Sequence, residues 1–288
     1  MLVLTKEYKN IRMDIMHTSY TGLGQSVVVI DTGQGAHYNS HNVIYDLDFA
    51  DHDSDGRDPM IFSHGAMVGD VVSDNAPGAG IIHLKVVSDF ARSARMEDIE
   101  AALDWVIDHA ESFNVAAVNV SLGYGDVDHE VVTSITDEFE TLREIGVVSV
   151  VAAGNGGLSN TNDGINILAA NSNVIAVGAS TKDDQAAAFS QKGRLLDVYA
   201  QGEDVGVDMP KFYRGEMEVD GTSFAAPQVA AAVAVAQEAA LVSWGREMTP
   251  REFDHLMLAT ASTQIDGTAL LHVDSMLAAI QASYDFLA

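Results

Sequence analysis

Cysteine is absent from the 288-residue chain, so disulfide bonds and thiolate metal sites are excluded. Basic residues are scarce, because 15 Lys and Arg stand against 42 Asp and Glu, which gives a formal net charge of −27. Such a surface repels nucleic acid and anionic membranes, and we expect neither as a partner. The longest apolar runs, near residues 147–153 and 229–236, are shorter than the roughly 18 residues that a membrane helix needs.

A signal peptide is also missing from the first residues, MLVLTKEYKN, which lack a long apolar region and a cleavage site. This leaves the localisation open between the cytoplasm, leaderless export and excision from a longer precursor. The chain is 47% hydrophobic, which is enough to bury a sizeable core. We find no linker or repeat, and we therefore expect one domain over residues 1–288.

Strand and helix patterns alternate along the chain. Continuous β-branched or apolar runs predict strands, whereas apolar residues at helical spacing predict helices. This alternation predicts an α/β fold with a mostly parallel central sheet and helices on both faces. The predicted strands are 26–33, 81–87, 116–123, 147–155, 173–180 and 196–202, and the clearest predicted helices are 96–113 and 130–146.

Four polar residues stand next to these elements at positions where chemistry is common. Asp31 ends the first strand, His64 precedes a helix of small residues, and Ser223 precedes an apolar Ala/Val helix. Asn155 lies in a glycine-flanked turn after another strand. Taken singly, each has an ordinary structural explanation as a turn residue, a structural histidine or a helix cap. We also expect Pro227 in the first turn of the Ala/Val helix, where a missing N–H costs little.

The order of the motifs carries more information than any one of them. The segments VVVIDTG, HGAMVG, VNVSLG, VVAAGNGG and GTSFAAPQVAA occur in one chain in this order. Together they resemble the subtilisin-like serine proteases, the subtilases of peptidase family S8, with the likeness covering residues 20–283 and leaving 1–19 as an N-terminal extension. The resemblance implies a subtilisin-like fold and a catalytic triad of Asp31, His64 and Ser223. It also implies that Asn155 and the Ser223 N–H stabilise the oxyanion.

The same resemblance implies a substrate pocket between two strand ends, and the small residues there favour a large apolar side chain at P1. The glycines would also let the peptide pair as an added strand. One predicted wall consists of Ser121, Leu122 and Gly123, and the other of Ala152, Ala153 and Gly154.

The acidic segment DFADHDSDGRD, residues 48–58, is a candidate calcium site with Asp51, Asp53 and Asp55 as ligands. It is not an EF-hand, because position 12 of such a loop would be Phe62 instead of a bidentate Glu. A calcium ion and a merely solvated acidic loop remain equal alternatives. The triad chemistry itself requires no cofactor.

Two functions from different classes follow. The first is a serine endopeptidase that acts on peptide or protein substrates. The second is a catalytically inactive subtilase-like domain that acts as a binding or processing partner. The second rests on the segment His64-Gly65-Ala66-Met67, where the family usually has His-Gly-Thr-His. The sequence leaves the natural substrate and the oligomeric state open.

Overall fold

The computed structural model describes residues 19–285 except 40, 41, 52, 54, 90, 92, 159–162, 214, 262 and 263. Residues 1–18 of the predicted N-terminal extension lie outside the described residues. The helices are α1 (His64–Asn75), α2 (Met96–Phe113), α3 (Thr136–Glu144), α4 (Thr222–Trp244), α5 (Pro250–Thr260) and α6 (Val273–Asp285). The strands are β1 (Ser26–Asp31), β2 (Gln34–Gly35), β3 (Val43–Asp48), β4 (Arg57–Asp58), β5 (Gly80–Lys85), β6 (Val115–Val120), β7 (Val148–Ala152), β8 (Val174–Ser180), β9 (Val198–Gln201), β10 (Val205–Asp208), β11 (Glu216–Val219), β12 (Gln264–Ile265) and β13 (Thr268–Leu270).

The main sheet has the order β12-β13-β9-β8-β7-β6-β1-β5-β3 in the described part of the chain. All of its pairings are parallel except that of β12 with β13. Strand β1 is the point where the order reverses, since β5 and β3 lie on one side and β6 to β9 on the other. Such a switch point opens a crevice at the carboxyl ends of the strands, which is where ligands bind in open α/β sheets. The predicted fold class is confirmed.

Helix α4 runs through the core on one face of the sheet. Its Ala and Val side chains are small enough for it to pack closely against β6, β7, β8 and α1, and it is buried along most of its length. Among the described helices, α4 alone has the length and apolar composition of a membrane span, but most of it lies inside the protein. The opposite face of the sheet is covered by α2 and α3, whose apolar stripes form a second core cluster.

Two local predictions were wrong. Helix α3 begins at Thr136 instead of residue 130. The backbone before it bonds elsewhere, because the Val131 N–H donates to the Ala170 carbonyl and the Thr133 N–H donates to the Thr136 hydroxyl. Pro227 is the sixth residue of α4 and not part of its first turn, because the helix already begins at Thr222. A proline at this position leaves the Ser223 carbonyl, four residues earlier, without its helical donor.

Candidate active site

Asp31 and His64 are brought together at the carboxyl end of β1. Asp31 is the last residue of β1 and is fully buried, and His64 is the first residue of α1. The start of α1 is fixed against Thr32, the residue that follows β1, since the Gly65 N–H donates to the Thr32 hydroxyl at 2.9 Å. Glycine is required at position 65 because a Cβ there would lie 2.5 Å from the Gly33 carbonyl oxygen. This close approach places the imidazole within hydrogen-bond distance of the carboxylate.

The His64 imidazole is held by Asp31 in one tautomer. Its Nδ1 lies 2.8 Å from Asp31 Oδ1 and 3.0 Å from Oδ2. Because an ionised carboxylate only accepts hydrogen bonds, the proton is on Nδ1 and the Nε2 lone pair is free to act as a base. Burial disfavours the charged imidazolium, but the charge and hydrogen bond of Asp31 outweigh it and raise the pKa of His64.

Ser223 is the second residue of α4 and is half-buried at the mouth of the same cavity as His64. Its hydroxyl donates to the Ser121 carbonyl at 3.3 Å, and within the described residues it makes no hydrogen bond to His64. A rotation about the Cα–Cβ bond of Ser223 is therefore needed before the imidazole can accept its proton. The Ser223 N–H belongs to the first helical turn, where backbone donors have no partner within the helix.

Asn155 follows β7 and lies against the start of α4. Its Oδ1 accepts both the Thr222 N–H and the Thr222 hydroxyl, each at 2.9 Å. Since the carbonyl oxygen of the amide faces Thr222, the NH2 group faces the other way, towards Gly221 and the cavity that Asn155 lines. Thr222 therefore orients this donor, a role that was not predicted from the sequence although Thr222 directly precedes Ser223.

A cavity of about 460 Å³ adjoins these groups. Five of the six predicted wall residues line it, on opposite sides: Ser121, Leu122, Gly123, Ala152 and Gly154. Ala153 does not line it, because successive residues at a strand end point to opposite faces and Ala153 is buried in the core cluster below α2 and α3. His64, Ser223 and Asn155 line the same cavity, so the predicted catalytic and substrate-binding residues form one site.

The base of the cavity is formed by two amide side chains that sequence reasoning missed. Asn166 donates to the Leu122 carbonyl and to the Ala152 carbonyl, both at 2.9 Å, and so spans the two walls. Gln191 donates to the Gly125 carbonyl at 3.1 Å. A Cβ at Gly123 would lie 1.8 Å from Asn166 Nδ2, which explains the glycine there. Asn166 lies in a segment with no regular pattern, so no signal in the sequence marked it.

The acidic loop binds the ammonium group of Lys85 through Asp51, one of the three candidate calcium ligands. Lys85 is 2% exposed and pairs with Asp48 at 2.7 Å, with Asp89 at 2.9 Å and with Asp51. Although partial burial favours the neutral acid, hydrogen bonds from Lys85 and Ser88 lower the pKa of Asp51 to about 2.

Asp53 and Asp55 lie apart from this cluster, and each accepts a backbone N–H of its own loop. Within the described residues there is no group of three or more His, Asp or Glu side chains that could hold a metal. These residues therefore do not fit a calcium site formed by Asp51, Asp53 and Asp55.

Comparison with known proteins identifies the family of this arrangement. Residues 22–277 match the model of the subtilase family, Peptidase_S8. The chain belongs to the subtilase family. The Subtilisin E of Bacillus subtilis (strain 168) is 31% identical to this subtilase over 239 residues, which are 78% of this chain and 58% of that protein. The Subtilisin BL of Lederbergia lenta is 29% identical over 266 residues, covering 88% of this chain and 91% of that protein.

Solved structures agree with this family. The crystal structure of a cold adapted subtilisin-like serine proteinase has 26% sequence identity and a TM-score of 0.70, covering 88% of this subtilase and 90% of that chain. A lanthipeptide protease at 17% identity, with a TM-score of 0.77, shares the fold. The subtilase chain spans 58% or less of the length of several of its relatives, such as Subtilisin E at 58% and an alkaline serine exoprotease A of Vibrio alginolyticus at 46%.

Proposed function

We propose that this chain is a serine endopeptidase in which Ser223 is the nucleophile, His64 the general base and Asp31 the group that orients the base. One observation carries this proposal most directly. The Nδ1 of His64 is held at 2.8 Å by a carboxylate that is fully buried, while Ser223 and the Asn155 amide line the same cavity as the imidazole. The buried carboxylate orients the imidazole, and an imidazole oriented in this way can act as the base that removes a proton from a hydroxyl near neutral pH.

In the proposed reaction the Ser223 hydroxyl rotates from the Ser121 carbonyl towards His64 Nε2. A bond forms between Ser223 Oγ and the substrate carbonyl carbon, and the hydroxyl proton moves to Nε2. The carbonyl oxygen becomes an oxyanion, which accepts hydrogen bonds from the Asn155 NH2 group and the Ser223 N–H. The carbon–nitrogen bond then breaks as His64 returns the proton to the leaving amine. Water, with its proton taken by His64, next attacks the acyl carbon, and the bond to Ser223 Oγ breaks to release the acid.

The lining of the cavity supports an uncharged, apolar P1 side chain. Leu122 and Ala152 provide apolar walls, and both amide groups at the base already use their hydrogen bonds on the protein. Among the described residues, no carboxylate lines the cavity to pair with a P1 lysine or arginine. Each wall also contains a glycine with a positive φ angle, Gly123 at 149° and Gly154 at 106°. Because these two residues have no Cβ, they leave room for the peptide to pair as an added strand.

The changed residues Ala66 and Met67 give little support to an inactive binding domain. Both are buried in the core cluster around α4, so their substitution removes no group that lines the cavity.

A fluorophosphonate probe tests the proposal, because it reacts only with an activated serine. We expect labelling of the wild type and its loss in Ser223→Ala, with the adduct located on Ser223 by mass spectrometry. Cleavage of a peptide library should then show apolar P1 residues. A folded wild type that neither reacts nor cleaves would favour the binding or processing role instead.

A further inference from the structure

The nucleophile's own carbonyl group has an unusual partner. In an α-helix, the carbonyl of Ser223 would accept the N–H of residue 227, but Pro227 has none. The hydroxyl of Ser121 donates to this carbonyl instead, at 2.9 Å. Ser121 follows β6, more than one hundred residues earlier in the chain, so a side chain from the sheet replaces a hydrogen bond of the helix.

Ser121 is itself held from behind by Asn119. The Asn119 side-chain NH2 donates to the Ser121 hydroxyl oxygen at 2.9 Å, which leaves the hydroxyl hydrogen for the Ser223 carbonyl. Asn119 is fully buried and Ser121 is 4% exposed. The two residues form a continuous chain of hydrogen bonds from the interior of the sheet to the nucleophile's backbone.

This chain of hydrogen bonds lowers the stability of the fold. Asn119 Oδ1 is buried and has no hydrogen-bond partner within the described residues. A buried polar atom without a partner destabilises a fold, and an apolar side chain at position 119 would avoid that cost. The arrangement therefore calls for an explanation other than packing.

We propose that Asn119 and Ser121 are positioning residues that fix the nucleophile's backbone for catalysis, and that Pro227 frees the Ser223 carbonyl for them. The inference rests on the proposed protease function. The backbone on either side of Ser223 is already held, because Asn155 accepts the Thr222 N–H and the Gly221 carbonyl accepts the Phe224 N–H at 3.0 Å. Fixing the Ser223 carbonyl restrains the backbone on the other side of the residue, so the position of its Cα–Cβ bond and the direction of its N–H are set while the hydroxyl can still rotate.

A rescue experiment tests this inference. In Ser121→Ala the Ser223 carbonyl loses the Ser121 hydroxyl as its donor. We expect the second-order rate of fluorophosphonate labelling and kcat to fall about 10-fold, which corresponds to about 1.4 kcal/mol of transition-state stabilisation. In Ser121→Ala/Pro227→Ala, the N–H of residue 227 can donate to the Ser223 carbonyl as in an ordinary helix. We expect this double variant to react faster than Ser121→Ala alone.

Control variants distinguish the loss of a positioning hydrogen bond from a general loss of folding and from a lost contact with the substrate. Ser149→Ala is the control for the loss of a buried hydroxyl. Ser149 lies on the neighbouring strand β7, its hydroxyl has no hydrogen-bond partner among the described residues, and its removal should leave the labelling rate unchanged. Ser121→Thr keeps a hydroxyl and should keep most of the rate. Asn119→Ala should slow labelling in the same direction as Ser121→Ala, which provides a second variant if one of them fails to fold.

Positioning requires that the Ser121→Ala loss be in kcat with KM little changed, and that Pro227→Ala reverse it. The inference is overturned if Ser121→Ala labels at the wild-type rate, if its loss is confined to KM, or if the effects of the two substitutions simply add. In each of these cases a reactive wild type leaves the protease function intact. A folded wild type that does not label at all overturns both proposals.

Discussion

Replacing Lys85 with methionine tests the buried ion cluster beside the active site. The ammonium is 2% exposed, and the side chain of its partner Asp48 is fully buried, whereas those of Asp51 and Asp89 are 23% and 33% exposed. Methionine fills a similar volume but leaves Asp48 as an uncompensated buried charge. Breaking a buried pair in this way costs about 3–5 kcal/mol of unfolding free energy, which corresponds to a melting temperature lower by roughly 10 °C in a domain of this size.

Denaturant unfolding followed by tryptophan fluorescence measures this loss. All variants should carry Ser223→Ala, so that self-digestion does not affect the curves. Lys182→Met is the matched control, because Lys182 and its partner Asp204 are 68% and 44% exposed and such surface pairs contribute about 0–1 kcal/mol. Adding Asp48→Asn to Lys85→Met should recover part of the loss. A Lys85→Met protein within about 1 kcal/mol of its parent would refute the reasoning.

Three further predictions concern the site and its surroundings. Asp31→Asn should lower kcat by about 10⁴-fold, as in other triads of this type, because the amide favours the wrong tautomer of His64; steady-state kinetics on a peptide substrate measures it. In the wild type, the raised pKa of His64 should make kcat/KM fall as pH drops through a value above 6.5, since the protonated imidazole is no longer a base. Burial lowers the pKa of His83 to about 4, so only the unfolded chain takes up this proton as the pH falls from about 6.5 to 4. The unfolding free energy should therefore decrease over that range, and His83→Leu should make the decrease smaller in denaturant titrations.

The strand and helix patterns were sufficient to predict most of the sheet, whereas the proposed catalytic residues were predicted from the family resemblance of the motifs around them. Asp31 ends β1, Asn155 lies three residues after β7, and His64 and Ser223 lie at the starts of α1 and α4. The parallel sheet brings these strand ends together. The start of α2 at Met96 and its end at Phe113 were predicted without error.

Contacts between distant segments could not be predicted in the same way. Lys85 meets Asp48 because β3 pairs with β5 in a register that places the two residues side by side, and β3 was not predicted as a strand. Without that register the acidic loop resembled a calcium site. Asn166 likewise gains its role only when both cavity walls are present, and Ser121 gains its role only because Pro227 lies deeper in α4 than expected.

A crystal structure of the wild type with a peptide boronic acid tests the central claim most directly, since the boronate imitates the tetrahedral intermediate. We predict a covalent bond from Ser223 Oγ to boron, one boronate oxygen within hydrogen-bond distance of the Asn155 NH2 group and the Ser223 N–H, and His64 Nε2 in contact with the adduct. A boronate attached to a different residue, or one whose oxygen points away from Asn155 while His64 remains out of contact, would contradict the account.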